Sequence, residues 1–390
     1  VQTNELHDSP PVLNDEHWMA RAIELAKKGW YSTMPNPRVG CVLVKNGQVL
    51  AEGWHQRPGQ GHAEVEAIAA AVNVGAEIKG ATAYVTLEPC SHHGKTGPCC
   101  EALAEAGVRR VVYGMEDPNP QVSARGLEYL RSQGVEVHGP VLEDECRALN
   151  PGFISRMLHR RPLVRLKLAM SLDARTAMAN GESKWITSAA ARSDVQRLRA
   201  GSCAVISGIE SILQDNPAMN VRRDDLGLSK DLCDLATERQ PIRVILDSAL
   251  RMDPKSQLLS KPGKVLICTL DDPQSEKAKA LKAVCPELEV IQAKAWQDRI
   301  DLHWLVSELG KRECNEVLVE TGASLAGSFL RRGLLDELII YMAPKLLGSK
   351  ARPIFELPLD TMAAHLPLMI DSIEPIGQDW KITARPDIES

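Results

Sequence analysis

GHAEVEAI (residues 61–68) and TLEPCSHHGKTGPCC (residues 86–100), with a strand-like run between them, are the stretch around which the chain is organised. They supply one imidazole, His62, two thiols, Cys90 and Cys99, and a carboxylate, Glu64. One histidine and two thiolates form a ligand set for zinc, and three protein ligands leave a fourth position open to water, as a catalytic zinc requires. Glu64, two residues after His62, is a poor fourth ligand and a good proton carrier. Positions i and i+2 of a helix point nearly opposite ways at about 100° per residue. His62 and Glu64 can therefore reach one water only at a helix start, where the backbone is not yet helical. Gly61 permits that start, and Val65, Ile68, Ala69 and Val72 continue the helix. Cys90 and Cys99 are separated by eight residues. SHHGKTGP reads as an insertion bulging toward substrate before Cys99 opens the next helix. A single histidine or cysteine is more often core or surface than ligand. The four residues in this order, with Pro89 before the first cysteine, favour zinc. Cys100 leaves open a closed, structural Cys3His centre, although adjacent helical residues diverge by about 100°.

H-x-E followed by P-C and a later cysteine is the signature of zinc deaminases acting on pyrimidine-type rings, with the glutamate as general acid/base. The rest of the chain sets bounds on that reading. With 390 residues, two or three domains are expected. A 44% hydrophobic and 25% charged balance is that of an ordinary globular protein. No apolar run approaches the ~20 residues that span a bilayer. The polar, acidic start VQTNELHDSPPVLNDE predicts no signal peptide. Ten scattered cysteines do not resemble a disulfide framework and suit a reducing cytoplasm. A net charge of −5 argues against a nucleic-acid partner.

In chain order, Asn14 or Asp15 caps a helix with Trp18, Ala22, Leu25 and Ala26 on its apolar face, and Gly29 ends it. PNPRVG is a stiff turn that either aims Asn36 into a pocket or simply enters a strand. Residues 39–44 and 48–55 form a hairpin around Lys45-Asn46-Gly47. Strands at 81–87 and 109–114 alternate with helices from His62 and Pro98, an α/β pattern. GMEDPNP follows as a loop at a strand end, where α/β ligand sites usually lie. A helix over 123–133, a strand over 135–138 and one long helix over 142–159 complete this half. The basic run Arg156, His159, Arg160, Arg161 and Arg165 reads as a solvated linker rather than a nucleic-acid patch. The domain boundary is expected near Arg161-Pro162, giving domains 14–160 and 161–386.

The second half begins with the strand LVRLKLAMSLD, on which Lys167 faces opposite to Val164, Leu166 and Leu168. Such a lysine is at a sheet edge or lines a pocket. A helix covers 188–200, a strand and short helix follow in CAVISGIESIL, and QDNPAMNVR carries Asp215, Asn216 and Arg222 in an irregular loop. Residues 224–240 read as a surface excursion. Strands recur at 243–246, 264–268, 288–292 and 316–319, with helices over 276–284 and 303–311, and strands at 337–343, 370–376 and 379–384 end the chain. In ETGASLAG, Gly322 follows a strand and Ala323-Ser324 opens a helix. That turn either binds a dinucleotide pyrophosphate or is a plain turn with Ser324 as N-cap. No GxGxxG is present, so the ordinary Rossmann fingerprint is absent.

From about Asn14 to Pro386 the sequence resembles the bifunctional deaminase/reductases of riboflavin biosynthesis. PNPRVGCVLV, HAE, EPCSHHGKTGPC and DPNP carry the likeness in the first half, and KLAMSLDARTA, SKWITS, ILQDNP and APKLLG in the second. The resemblance implies an N-terminal cytidine-deaminase-like α/β/α domain that hydrolyses an amine from a diaminopyrimidinone ribosyl phosphate. It also implies a C-terminal dihydrofolate-reductase-like α/β domain that reduces ribosyl to ribityl with NADPH. By resemblance His62, Cys90 and Cys99 hold one zinc and Glu64 shuttles protons. Asn36, His55, His92, Lys95, Asp117 and Asn119 match substrate-contacting positions. In the second domain Lys167, Asp215, Arg199, Arg222 and Glu320 match positions at the substrate, with Lys167 or Asp215 assisting proton transfer. Ser183, Trp185, Thr187 and Gly322 match positions beside the cofactor. Thr321 and Ala174 stand where the pattern has glycine. A cytoplasmic homo-oligomer acting on a small phosphorylated pyrimidine, with no membrane or nucleic-acid partner, is expected. The rivals are a zinc deaminase of nucleic-acid bases or free nucleotides with an appended domain, and a structural-zinc module.

Overall fold

The computed structural model describes residues 14–91, 97–119 and 124–387. The chain divides into two compact units, Val1–Leu158 and His159–Ser390. In the first, α1 (Asp15–Lys27) starts at Asn14, whose side chain accepts from the His17 amide at 3.0 Å, and Trp18, Ala22, Leu25 and Ala26 are all buried. Strands β1 (Gly40–Lys45) and β2 (Gln48–Trp54) meet at Asn46-Gly47, with φ of 53° and 74°. Those two left-handed residues form the two-residue turn that matches the strand twist. There follow α2 (Ala63–Asn73), β3 (Thr82–Val85), α3 (Cys99–Glu105), β4 (Arg110–Tyr113), α4 (Arg125–Ser132), β5 (Glu136–His138), α5 (Glu143–Leu149) and α6 (Pro151–His159).

The sheet order is β2-β1-β3-β4-β5, antiparallel at the hairpin and at β1–β3 and parallel from β3 to β5. Two glycines set how closely helices cover its two faces. A Cβ on Gly40 would lie 2.0 Å from the Ala22 carbonyl of α1, and one on Gly53 would lie 2.3 Å from the Ala63 carbonyl of α2. Gly40 pairs with Trp54 and Cys41 with Gly53, so the two glycines face opposite sides and the unit is a three-layer α/β/α stack. The side of α2 that is buried is Ala63, Glu64, Ala67 and Ala71, whereas Val72 is exposed. The apolar run continues the helix as expected, but within it only Ile68 packs against this core, and Ala69 and Val72 are exposed. Small residues are needed on the buried side because the helix backbone nearly touches the strand.

The single helix expected over 142–159 is two helices. Pro151 has no N–H to continue the first and opens the second instead. Asn150 between them turns inward, accepting from Arg38 N at 2.7 Å and donating to Arg38 O at 2.9 Å.

The second unit runs β6 (Leu163–Ser171), β7 (Arg175–Ala177), α7 (Ala189–Ala200), β8 (Ala204–Gly208), α8 (Ile209–Asp215), α9 (Lys230–Glu238), β9 (Ile242–Leu246), β10 (Val265–Thr269), α10 (Glu276–Val284), β11 (Leu288–Gln292), β12 (Ala295–Trp296), β13 (Arg299–Ile300), α11 (Leu302–Lys311), β14 (Glu316–Glu320), α12 (Ala323–Arg331), β15 (Glu337–Ala343), β16 (Arg352–Pro353), β17 (Leu368–Ile376) and β18 (Asp379–Pro386). Its main sheet has the order β11-β10-β9-β8-β14-β6-β15-β18-β17. Strands β11 to β15 are parallel and the last two join antiparallel. The segment expected as a surface excursion contains α9, which buries Cys233 and Ala236. Asp215 ends α8 rather than lying in a loop. Arg165, grouped by sequence with the linker, is instead in the central strand β6 and pairs with Glu316 on β14 and Glu337 on β15. Ala174 has φ of 55°, a left-handed turn that explains the glycine usual in that pattern. No helix among the described residues is long and apolar enough to cross a membrane.

The contact at Gly53 yields a first expectation. Gly53→Ala forces α2 away from β2 and lowers the stability of the first unit by about 1–3 kcal/mol, the usual cost of overpacking. Chemical denaturation of the zinc-loaded protein measures it. An unchanged midpoint for the first unit contradicts the close approach.

Candidate active sites

In the first unit, His62 stands just before α2 with φ −74° and ψ 170°, an extended conformation, and Glu64 is in the first turn. That change of backbone at the cap turns both side chains to one side. The His62 Nδ1 atom lies 3.5 Å from the Cys90 Sγ and 3.3 Å from the Cys99 Sγ. All three ligand atoms lie within 4.8 Å of one another. A tetrahedral zinc with bonds of about 2.1 and 2.3 Å separates its ligand atoms by roughly 3.5–3.8 Å, so these residues fit the ion. Cys100, adjacent to Cys99, is instead in the hydrophobic core of the unit and is not part of the cluster.

The electrostatics of the pocket follow from burial. The hydrogen bond between the two thiols pulls Cys90 down, assisted by His62, and pushes Cys99 up. The Cys99 backbone N–H donates to Cys90 Sγ at 3.4 Å, which also favours the thiolate. Glu64 is buried, and burial, then the nearby Cys90 charge, push its carboxyl up to about 7. Burial holds the His55 imidazole below its ordinary value. His55 Nδ1 is 3.0 Å from the Gly61 carbonyl, so that nitrogen donates and Nε2 accepts from the Asn36 amide at 3.1 Å. Asn36 and His55 are thereby held side by side, with the His55 ring 5.2 Å from that of His62.

Asp117 and Asn119 lie in the loop after β4, where the Asn119 amide donates to Asp117 Oδ1 at 2.8 Å. Sequence reasoning missed what holds this loop. Glu88, buried two residues before Cys90, accepts from the amides of Asp117 (3.2 Å), Ala124 (3.1 Å) and Gly126 (3.2 Å). The signal was present, since Glu88 is in the quoted TLEPC run, but a glutamate at a strand end reads as exposed. His92 and Lys95 fall outside the described residues.

In the second unit, one cavity of about 2000 Å³ is lined by every site residue matched in that half: Lys167, Ser183, Trp185, Thr187, Arg199, Asp215, Arg222, Glu320 and Gly322. It opens along the carboxyl ends of adjacent parallel strands, where ligands of α/β sheets bind. Glu320, at the end of β14, pairs with Arg199 at 2.6 Å and with Lys167 of β6 at 3.2 Å. Burial alone would raise the Glu320 carboxyl, but the Arg199 charge and then Lys167 overcome it and hold it down to about 2. Lys167 therefore lines a pocket in a central strand, which settles the alternatives its alternation left open. Arg222 pairs with Asp225 on the surface. Lys345 fixes the segment around Trp185 by donating to the carbonyls of Trp185 (3.0 Å) and Ile186 (2.8 Å), and Arg192 stacks 4.5 Å over the indole. Gly322, not Ser324, is the N-cap of α12.

A three-ligand zinc pocket with a buried glutamate on a cytidine-deaminase-like unit, and a charged cavity on a second α/β unit, define a bifunctional deaminase and reductase that uses zinc and a nicotinamide cofactor. Residues 13–115 match the cytidine and deoxycytidylate deaminase zinc-binding region, and residues 162–382 match the RibD C-terminal domain. The chain is 46% identical over 370 residues to the riboflavin biosynthesis protein RibD of Escherichia coli, covering 94% of this chain and 98% of that one. Its likeness to the RibD of Haemophilus influenzae is also 46%, over 376 residues, with 95% and 96% covered. Among solved structures, RibD of Acinetobacter baumannii superposes with a TM-score of 0.85 at 43% identity, covering 96% of this chain and 99% of that one. A diaminohydroxyphosphoribosylaminopyrimidine deaminase/5-amino-6-(5-phosphoribosylamino)uracil reductase of Thermotoga maritima does so with 0.84 at 34%, covering 96% and 99%. The chain belongs to the RibD family of bifunctional riboflavin-biosynthesis enzymes.

Two expectations follow from these sites. Cys90→Ser removes zinc from the purified protein, whereas Cys100→Ala keeps one equivalent, as measured by metal analysis. Retention by the first or loss by the second reverses the ligand assignment. Glu320 has a depressed carboxyl, so its contribution to stability is complete above pH ~4.3, the ordinary glutamate value, and is lost as pH falls toward 2. The difference in denaturation midpoint between the native chain and Glu320→Gln therefore shrinks from pH 5 to pH 2. A difference independent of pH contradicts the pairing.

Proposed function

We propose that the first unit hydrolyses the amine of 2,5-diamino-6-ribosylamino-4(3H)-pyrimidinone 5′-phosphate, and that the second reduces the ribosyl group of the product to ribityl with NADPH. The observation that carries this is the placement of Glu64, buried beside His62, Cys90 and Cys99 in a unit of deaminase fold. Zinc, when bound by these three residues, supplies Lewis acidity that makes a water nucleophilic near neutrality. Glu64 accepts the proton of that water, passes it to the ring nitrogen and then assists the departing ammonia. A carboxyl pushed up to about 7 suits a group that must both take and give a proton near neutral pH. Asn36, held through its amide nitrogen by His55, keeps its Oδ1 free to accept from the substrate. Asp117 and Asn119, on the loop held by Glu88, meet the rest of the ring system, and His92 and Lys95, outside the described residues, are further substrate contacts by resemblance alone.

In the second unit NADPH, when bound beside Ser183, Trp185, Thr187 and Gly322, supplies the hydride. Arg199 and Glu320 hold Lys167 at the reacting end of the cavity. Lys167 and Asp215, which both line the cavity, move protons as the ribose opens, and Arg222 exchanges its surface partner Asp225 for the substrate phosphate. Residues 14–160 and 161–386 are the two catalytic domains, with one zinc per chain in the first. The cytoplasm is the compartment that suits the ten free cysteines of the chain. The outermost strand β17 exposes Leu368, Ile370 and Ile373, a surface that supports homo-oligomerisation.

The test separates the two centres. Glu64→Gln keeps its zinc, loses deamination by about 10²–10⁴-fold, and still reduces the already deaminated substrate with NADPH. Ammonia release at the native rate by this variant removes Glu64 from the reaction.

A further inference from the structure

Two of the ten cysteines meet away from both sites described above. Cys203 stands just before β8, and Cys314 stands two residues before β14. The two strands are parallel neighbours, with Ala204 opposite Val317, so both cysteines lie at the amino ends. The carboxyl ends, at Gly208 and Glu320, line the cavity of the second unit. A strand rises about 3.3 Å per residue, which puts the thiols roughly 16 Å from that cavity. The Cys203 amide donates to the Glu316 carbonyl at 2.8 Å, and the Asn315 amide donates to Cys203 Sγ at 3.3 Å. These two bonds hold the Cys203 sulfur against the segment that carries Cys314, and the two thiols hydrogen-bond to each other. Cys314 is fixed from its own side, its amide donating to the Leu309 carbonyl at 3.0 Å. Only 6% of Cys203 and 2% of Cys314 are exposed.

The contact makes the two thiols unlike. The hydrogen bond from Cys314 holds Cys203 below the ordinary thiol value against the effect of burial, and the Arg239 charge assists. The same bond, with burial, pushes Cys314 up. A thiolate beside a protonated thiol suits one sulfur to attack an oxidant and the other to resolve the product. Burial selects the oxidant. A disulfide such as oxidised glutathione is too large to reach sulfurs so enclosed, whereas a peroxide is little larger than water. We propose that Cys203 and Cys314 are a peroxide-reactive dithiol that closes reversibly to a disulfide joining the starts of β8 and β14. The Cys203 thiolate attacks one peroxide oxygen, the O–O bond breaks, and the departing hydroxide takes up the proton that the Cys203 thiol released, giving water. The Cys314 sulfur then attacks the Cys203 sulfenic acid, the S–O bond breaks, and a second water leaves with the Cys314 proton. The two thiols lose two electrons and one peroxide gains them. The resolving thiol is already in contact, so the sulfenic acid is consumed before a second peroxide can carry it further. The link encloses everything from β8 to α11, including the contiguous block β11-β10-β9-β8 of the sheet. In a reducing compartment it lasts only while peroxide is supplied.

Treatment of the full-length zinc-loaded chain with hydrogen peroxide, followed by alkylation of the remaining thiols and peptide mass spectrometry, tests it. The expected product is a peptide pair linked through Cys203 and Cys314, which dithiothreitol separates again. The thermal midpoint of the second unit rises by a few degrees with the link and returns on reduction, since the closed loop restrains the unfolded chain. In Cys314→Ser the link cannot form, and Cys203 accumulates as a sulfenic acid that dimedone traps, about tenfold or more above the native chain. In Cys203→Ser dimedone does not label Cys314. Labelling of Cys314 there, with none of Cys203 in Cys314→Ser, overturns the division into attacking and resolving thiols. Absence of the linked pair from the native chain after excess peroxide overturns the site itself, and that measurement needs no variant to fold.

Discussion

Helix α2 lies so near strand β2 that position 53 has no room for a side chain, and the first centre depends on that approach. The helix presents Ala63, Ala67 and Ala71 to the strand, so its start is held where His62 can leave the helical path. The extended backbone at His62 brings together two side chains, His62 and Glu64, that a regular helix would point in opposite directions. The same packing buries Glu64, and burial sets its proton affinity. Backbone contact, ligand geometry and acid–base character thus derive from one feature of the sheet surface.

The loop side of this centre is held by a different device. Glu88 gives up hydration and accepts three backbone amides in return. Hydrogen bonds from amides compensate the burial of a carboxylate. Because Cys90 is two residues away, one short segment carries both a candidate metal ligand and the anchor of the loop that bears Asp117 and Asn119. In the second unit a buried ion cluster plays the corresponding part. Glu320 of β14 is shared by Arg199 of α7 and Lys167 of β6, and losing a member would leave a buried charge uncompensated.

Much of the architecture was legible in local signals. Asn14 as a cap, Asn46-Gly47 as a turn and the alternation around Lys167 all rest on properties of a few adjacent residues. The readings that changed involve distant partners. Pro151 divides a helix that periodicity runs together, and Asn150 at the break bonds to Arg38. Arg165 reads as part of a basic linker until Glu316 and Glu337 are brought beside it. The alanine face of α2 is weakly hydrophobic in sequence, and its importance comes from the glycine it meets.

The cluster of His62, Cys90 and Cys99, a candidate metal site, could be picked out with Glu64 from the sequence alone, because a metal site demands particular donor atoms in a particular order, and those donors are chemically unlike the residues around them. The two-part α/β organisation was likewise readable, since strand and helix periodicities are local. Only the tertiary structure decided that Cys100 belongs to the core, that Glu88 holds the loop, and that Cys203 and Cys314 meet at the amino ends of two strands. Each of those depends on which surfaces meet across the fold, and a side chain carries no local mark of the neighbour that will bury, charge or expose it.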